Sequence, residues 1–78
     1  MSTALSEDYQ DIVVSIGHRI REIRESKGLS QLDIAVLCDS DKTAISRLEA
    51  GRTNATIKTF IKISKALDVS LSEMLDIN

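Results

Sequence analysis

The clearest chemical pattern in this chain is a group of basic side chains in its middle third. Residues 41–62 carry two acidic side chains against five basic ones, whereas residues 1–40 and 63–78 are both net acidic. The acids are Asp41 and Glu49, and the bases are Lys42, Arg47, Arg52, Lys58 and Lys62. Within a chain of net charge −2, such a segment favours binding of a polyanion on one face. Charges scattered over an ordinary surface are the alternative interpretation.

Few side chains are available for catalysis or metal binding. The chain has one histidine, His18, one cysteine, Cys38, and one tyrosine. A single cysteine forms neither an internal disulfide nor a cysteine-based zinc site, and no nucleophile and base stand in a recognisable pattern. We therefore expect no enzymatic activity, no metal site and no cofactor. We interpret His18 as an ordinary helix residue and Cys38 as a small apolar side chain.

Length and composition predict one small globular domain. The chain has 78 residues, of which 42% are hydrophobic and 28% are charged. These values are typical of a folded domain, and no apolar run is long enough to predict a membrane span. The N-terminus lacks the pattern of a secretory signal, and the single cysteine fits a reducing compartment, so we expect a cytoplasmic protein. We predict a flexible N-terminal segment over 1–10 and a single domain over 11–78.

Helical spacing and glycine positions predict a long first helix. It runs from about residue 8 to residue 27, with apolar positions at Ile12, Ile16, Ile20 and Ile23. Gly28 then supplies the left-handed residue that ends many helices. Gly17 lies inside this helix, where glycine is unfavourable relative to alanine, and therefore indicates a close contact with another helix.

Four shorter helices follow, each behind a capping residue. The predicted N-caps of helices over 31–38, 42–50, 57–67 and 71–76 are Ser30, Asp41 or its neighbour, Thr56 and Ser70. Asp33 completes a capping box with Ser30, and Gly51 ends the third helix as Gly28 ends the first. The candidate core residues of these helices are Ile34, Ala35, Leu37, Cys38, Ile45, Leu48, Ile57, Phe60, Ile61 and residues 63–67. No strand pattern is visible, so the predicted fold class is all-α.

The second and third predicted helices are short and joined by a polar turn at residues 39–41, which is the geometry of a helix-turn-helix. Three stretches carry a specific resemblance: LSQLDIA at 29–35, TAISRLEAGR at 43–52 and IKTFIKISKALDVSLSEML at 57–75. Together they resemble the phage-repressor-like, Xre-type helix-turn-helix regulators, over about residues 16–75. The short chain is also similar to the controller proteins of restriction–modification systems.

The resemblance implies a compact five-helix, lambda-repressor-like bundle and a role for several individual residues. Four residues of the third helix match base-reading positions: Lys42, Thr43, Ser46 and Arg47. Four residues match phosphate-binding positions: Gln31, Arg52, Asn54 and Lys58. Arg24 and Glu49 match an internal ion pair between the first and third helices. Asp39 departs from the pattern, because the family usually has glycine at this turn position.

The implied function is sequence-specific DNA binding by a transcription regulator, such as a repressor, in a bacterial or phage context. A homodimer on a palindromic operator is expected, with Leu71, Met74 and Ile77 at its interface. The segment around Leu5, Tyr9 and Val13 is the second choice for that interface. Two alternatives remain open, an antitoxin-like protein and an adaptor, in which the main role is binding a protein partner through Leu32 and Val36.

Overall fold

The computed structural model describes residues 9–77, which form five helices and no strand. The helices are α1 (Tyr9–Ser26), α2 (Gln31–Leu37), α3 (Lys42–Glu49), α4 (Ile57–Leu67) and α5 (Leu71–Met74). The predicted all-α class and the order of the five helices are confirmed. None of the described helices is long and apolar enough to cross a membrane.

Side-chain caps begin the four helices that follow α1. The Ser30 hydroxyl accepts a hydrogen bond from the Asp33 backbone N–H at 3.0 Å, and the Asp33 carboxylate accepts one from the Ser30 N–H at 2.8 Å. This is the predicted capping box. Asp41, Thr56 and Ser70 each accept from the backbone three residues later, as predicted. Each cap satisfies an N–H group that the helix itself leaves without a partner.

Left-handed residues follow the ends of α1, α2 and α3. Gly28 has φ +70° and Gly51 has φ +72°, as their positions predict. Asp39 takes the same conformation with φ +54°, although it has a side chain. Its N–H donates to Val36 O at 3.2 Å and the Ser40 N–H donates to Ala35 O at 2.8 Å. These two bonds close the turn between α2 and α3 without glycine.

The core forms where the five helices pack together, with α2 against α3 and α4, α1 against α3 and α5, and α4 against α5. Its largest fully buried side chains are Ile20, Ile34, Ile63, Leu67 and Met74. Gly17 lies directly against the end of α3, where a Cβ atom would be 2.5 Å from Leu48 O and 2.7 Å from Glu49 O. The predicted close contact at Gly17 is therefore confirmed, and it allows the backbones of α1 and α3 to touch.

Three apolar side chains predicted for the core are exposed instead. Leu37 is 63% exposed, and Ile57 and Ile61 also face solvent. The inward face of α2 is centred on Ile34 and Ala35, and the inward face of α4 runs through Ile63 and Leu67. At 100° per residue, all three side chains lie more than a quarter turn from the middle of those faces.

Met74 was predicted to face a partner, and this prediction is wrong because its side chain is 0% exposed. Helix α5 is a single turn that ends at Met74 rather than near residue 76, and Met74 is its one buried residue. It belongs to the core where α5 packs against α1 and α4. Leu71 and Ile77 are half-buried, and their place in a dimer interface stays a prediction.

The predicted boundary after residue 10 also differs from the structure. Helix α1 begins at Tyr9, and the Gln10 side chain donates a hydrogen bond to Gly51 O at 2.7 Å. Both residues therefore belong to the folded domain. The rest of the predicted N-terminal segment, with Leu5, lies outside the described residues.

Candidate nucleic-acid interface

Helix α3 has one face in the core and one face in solvent. Ile45 and Leu48 are buried against the rest of the domain, and the cap at Asp41 fixes where the helix starts. The four predicted base-reading residues are all exposed: Lys42, Thr43, Ser46 and Arg47. Residues three and four apart share a helix face, so Thr43, Ser46 and Arg47 present their side chains to the same side.

A buried ion pair holds α3 against α1. Arg24 Nε lies 2.6 Å from Glu49 Oε2, and Arg24 Nη2 lies 3.0 Å from Glu49 Oε1, so the contact is bidentate. The two side chains are 10% and 3% exposed. Arg24 also donates to Leu29 O at 2.8 Å. The hydrogen bond to Glu49 raises the pKa of Arg24 above its ordinary value, against the effect of burial. The pair implied by the resemblance is thus present.

Gln31 joins this pair from the first position of α2. Its Nε2 donates to Glu49 Oε1 at 3.1 Å, and the side chain is half-buried. Sequence reasoning did not find this contact, because the two residues are 18 positions apart and no local pattern connects them. An amide nitrogen carries two hydrogens, so one donor of Gln31 remains for an anion at the start of α2.

The buried pair also changes the charge of the surface around α3. All five basic residues of the segment 41–62 are exposed, whereas Glu49 is buried and neutralised by Arg24. Asp41 is then the one acidic side chain of that segment on the surface. The exposed part of the segment therefore has a higher net positive charge than the segment as a whole. This charge favours binding of a polyanion at this face.

The loop between α3 and α4 carries two further predicted contact residues, Arg52 and Asn54, and both are exposed. Lys58 lies beyond it in the first turn of α4, also exposed. The loop is tied to α1, because Asn54 Nδ2 donates to the Tyr9 hydroxyl at 2.9 Å. Sequence reasoning missed this contact, since the two residues are 45 positions apart and no local pattern connects them.

Comparison with known proteins identifies the family. A family model described as helix-turn-helix matches residues 20–74, which is more than half of the chain. The chain belongs to this helix-turn-helix family. The match spans the buried pair, the turn and the exposed face of α3. Among the relatives of this helix-turn-helix protein is "Control protein C.BamHI" from Bacillus amyloliquefaciens. It is 40% identical over 67 residues, which cover 85% of this chain and 83% of that protein.

Solved structures show the same fold. The restriction-modification controller protein C.AhdI from Aeromonas hydrophila superposes with a TM-score of 0.84 at 34% identity, covering 87% of this chain and 99% of that one. The restriction-modification controller protein C.Esp1396I, solved as a tetramer in complex with its natural 35 base-pair operator, gives a TM-score of 0.77 at 36% identity. That match covers 88% of this chain and 92% of the other. This helix-turn-helix protein therefore shares its architecture with controller proteins over nearly their whole length.

Proposed function

We propose that this helix-turn-helix protein is a sequence-specific DNA-binding transcription regulator, and that it acts as the controller protein of a restriction–modification system. The observation that carries the proposal is the exposed face of α3, where the side chains proposed to read bases stand together and the local acid Glu49 is neutralised by Arg24. The similarity to control proteins over most of both chains supports the narrower role. Since its proposed ligand is bacterial or phage DNA, we infer that the protein acts in the cytoplasm.

In the proposed complex, α3 lies in the major groove. Arg47 reads a guanine by two hydrogen bonds, Thr43 meets a thymine methyl or a base edge, and Lys42 and Ser46 contact neighbouring bases. Phosphates are bound by the four residues around this helix, which are Gln31, Arg52, Asn54 and Lys58. These phosphate contacts fix the orientation of the protein without reading sequence.

The proposed regulator binds as a homodimer. Two recognition helices about 34 Å apart then read a palindromic operator, since this is one turn of B-DNA. The C.Esp1396I tetramer on its operator supports oligomeric binding. The proposed interface residues are Leu71 and Ile77, which are half-buried. Met74 lies in the core and is not part of the proposed interface.

The test is to compare two variants on a panel of duplexes that differ by single base pairs. Arg47→Ala should lose about 1–3 kcal/mol of specific binding and lose its preference at one base pair in each half-site. Gln31→Ala should weaken binding to every duplex by a similar factor, because a phosphate contact carries no sequence information.

The matched control is Arg21→Ala, which removes an exposed arginine of α1 outside the basic segment. It should leave the base preferences unchanged. An Arg47→Ala variant with the same base preferences as the wild type would contradict the assignment of α3 as the reading helix.

A second candidate function rests on the exposed face of α2. Leu32 and Val36 are 57% and 70% exposed and lie four residues apart, so they form one apolar patch. An antitoxin-like protein or an adaptor would use this patch for a protein partner, with DNA binding secondary or absent. A wild-type chain without any salt-dependent affinity for duplex DNA would favour this second function over the first.

A further inference from the structure

Tyr9 and Asn54 form a contact between the start of α1 and the loop that follows α3. The two residues are 45 positions apart, and Asn54 Nδ2 donates to the Tyr9 hydroxyl oxygen at 2.9 Å. Both side chains are on the surface, with Tyr9 61% exposed. The contact therefore lies outside the core. It places the Tyr9 hydroxyl beside Asn54, which belongs to the proposed phosphate-binding set.

The two groups keep donors available after they bind each other. A tyrosine hydroxyl has one hydrogen and acceptor lone pairs, and an asparagine amide nitrogen has two hydrogens. Because the Tyr9 oxygen accepts from Asn54, the Tyr9 hydrogen stays available to another acceptor. Asn54 likewise retains its second amide hydrogen. The pair thus presents two donors whose heavy atoms are 2.9 Å apart, a spacing that suits two oxygens of one phosphate group.

Two contacts near this pair hold α1 against the start of the loop. Gln10 Nε2 donates to Gly51 O at 2.7 Å, which ties the first turn of α1 to the start of the loop. Val14 packs so closely on Gly51 that a Cβ atom there would be 2.6 Å from Val14 Cγ2. Arg52 follows directly and is exposed. A phosphate bound at Asn54 therefore lies next to the Tyr9 hydroxyl.

We propose that the DNA interface extends onto the first turn of α1, and that the Tyr9 hydroxyl and the Asn54 amide donate together to one backbone phosphate. This inference rests on the proposed function and adds a residue to it. The ligand class is the sugar–phosphate backbone of duplex DNA. Tyr9 contributes to affinity for any sequence and makes no contribution to base preference.

Tyr9→Phe tests the proposal, because it removes the hydroxyl and keeps the ring. Two duplexes of equal length serve as probes, one selected from a random pool by the wild-type protein and one of unrelated sequence. The variant should bind both about tenfold more weakly per half-site, since a hydrogen bond to a charged group is removed. The slope of log K against log salt should not change, because a neutral donor releases no counterions.

Arg52→Ala is the matched control for charge, and it should reduce that slope by about 0.9 if Arg52 neutralises one phosphate. The thermal midpoint of Tyr9→Phe should equal that of the wild type, because the hydroxyl is exposed. Affinity for both duplexes equal to the wild type would overturn the proposal. Weaker binding that comes with a smaller salt slope would also overturn it, since this would mean that Arg52 had moved and that Tyr9 acts only on the loop.

A second measurement observes Tyr9 directly. It is the only tyrosine in the chain, so labelling with 3-fluorotyrosine gives one ¹⁹F resonance. Addition of either duplex should shift that resonance, with saturation at the same DNA concentration as binding. No shift in a sample that binds DNA would overturn the proposal. A wild-type chain that binds neither duplex would overturn the proposed function itself, and the inference with it.

Discussion

Replacing Glu49 with alanine should destabilise the domain more than any other removal of a charged side chain in its described part. Glu49 is 3% exposed and accepts hydrogen bonds from Arg24 and Gln31. Without Glu49, the Arg24 guanidinium stays buried, and of its two acceptor residues it keeps Leu29, through the backbone oxygen. A buried cation without its counter-charge is the costly state, because the protein interior cannot replace the solvation that water gave it.

The expected loss is about 3–5 kcal/mol in the free energy of unfolding, the range for breaking one side of a buried pair. A domain of this size has a total stability of about 4–12 kcal/mol, so the loss amounts to at least about a quarter of it. Glu25→Ala is the matched control. Its pair with Arg21 is more than half exposed on both sides, and such a pair contributes less than about 1 kcal/mol.

Urea denaturation followed by circular dichroism measures both variants, and a double-mutant cycle isolates the pair. Arg24→Met and Glu49→Ala should each destabilise the domain strongly, and the double variant should lose much less than the two losses added together. Coupling below about 0.5 kcal/mol, the usual limit for independent sites, would refute the view that this pair anchors α3.

Two further changes test the fold around the interface. Gly17→Ala should lower the thermal midpoint, because the new Cβ would meet backbone oxygens of Leu48 and Glu49 at 2.5 and 2.7 Å, and the strain outweighs the gain in helix propensity of about 1 kcal/mol. A higher midpoint in thermal denaturation would show that α1 can move away from α3. Asp33→Asn should remove part of the acid dependence of stability. The hydrogen bond from the Ser30 backbone N–H, assisted by its hydroxyl, lowers the pKa of Asp33 below its ordinary value of 3.8. The wild type therefore holds this contribution above pH 3.8 and loses it as the pH falls through the lower folded value. Urea titrations at several pH values should show the two proteins converging in acid, and a constant difference would contradict the capping role.

Local signals in the sequence predicted most of the fold. Ser30 with Asp33, and glycine at 28 and 51, act on backbone groups within a few residues, so their effect does not depend on the rest of the chain. Gly17, in contrast, predicted a contact with a distant part of the chain. Glycine disfavours helix formation, so a glycine inside a helix indicates that another element packs closely there. The ion pair of Arg24 with Glu49 came from the family resemblance and not from the spacing.

What the sequence did not predict depends on tertiary packing. The apolar residues near the C-terminus outnumber what a short helix can bury, which favours a partner-facing Met74, but α5 is a single turn and Met74 fills the core below it. The residue type of Leu37 favours the core, although this side chain lies off the inward face of α2. The contacts of Tyr9 with Asn54 and of Gln31 with Glu49 join distant positions, and no periodicity marks them.

The most direct test of the central claim is selection of bound sequences from a pool of random duplexes by the wild-type protein. If α3 reads bases in the major groove from a symmetric dimer, the bound pool should converge on an inverted repeat. Its half-sites should lie one helical turn apart, about 10 base pairs from centre to centre, or a multiple of that. A pool that binds in a salt-dependent way but shows no sequence preference after repeated rounds would contradict the claim that this face reads DNA sequence.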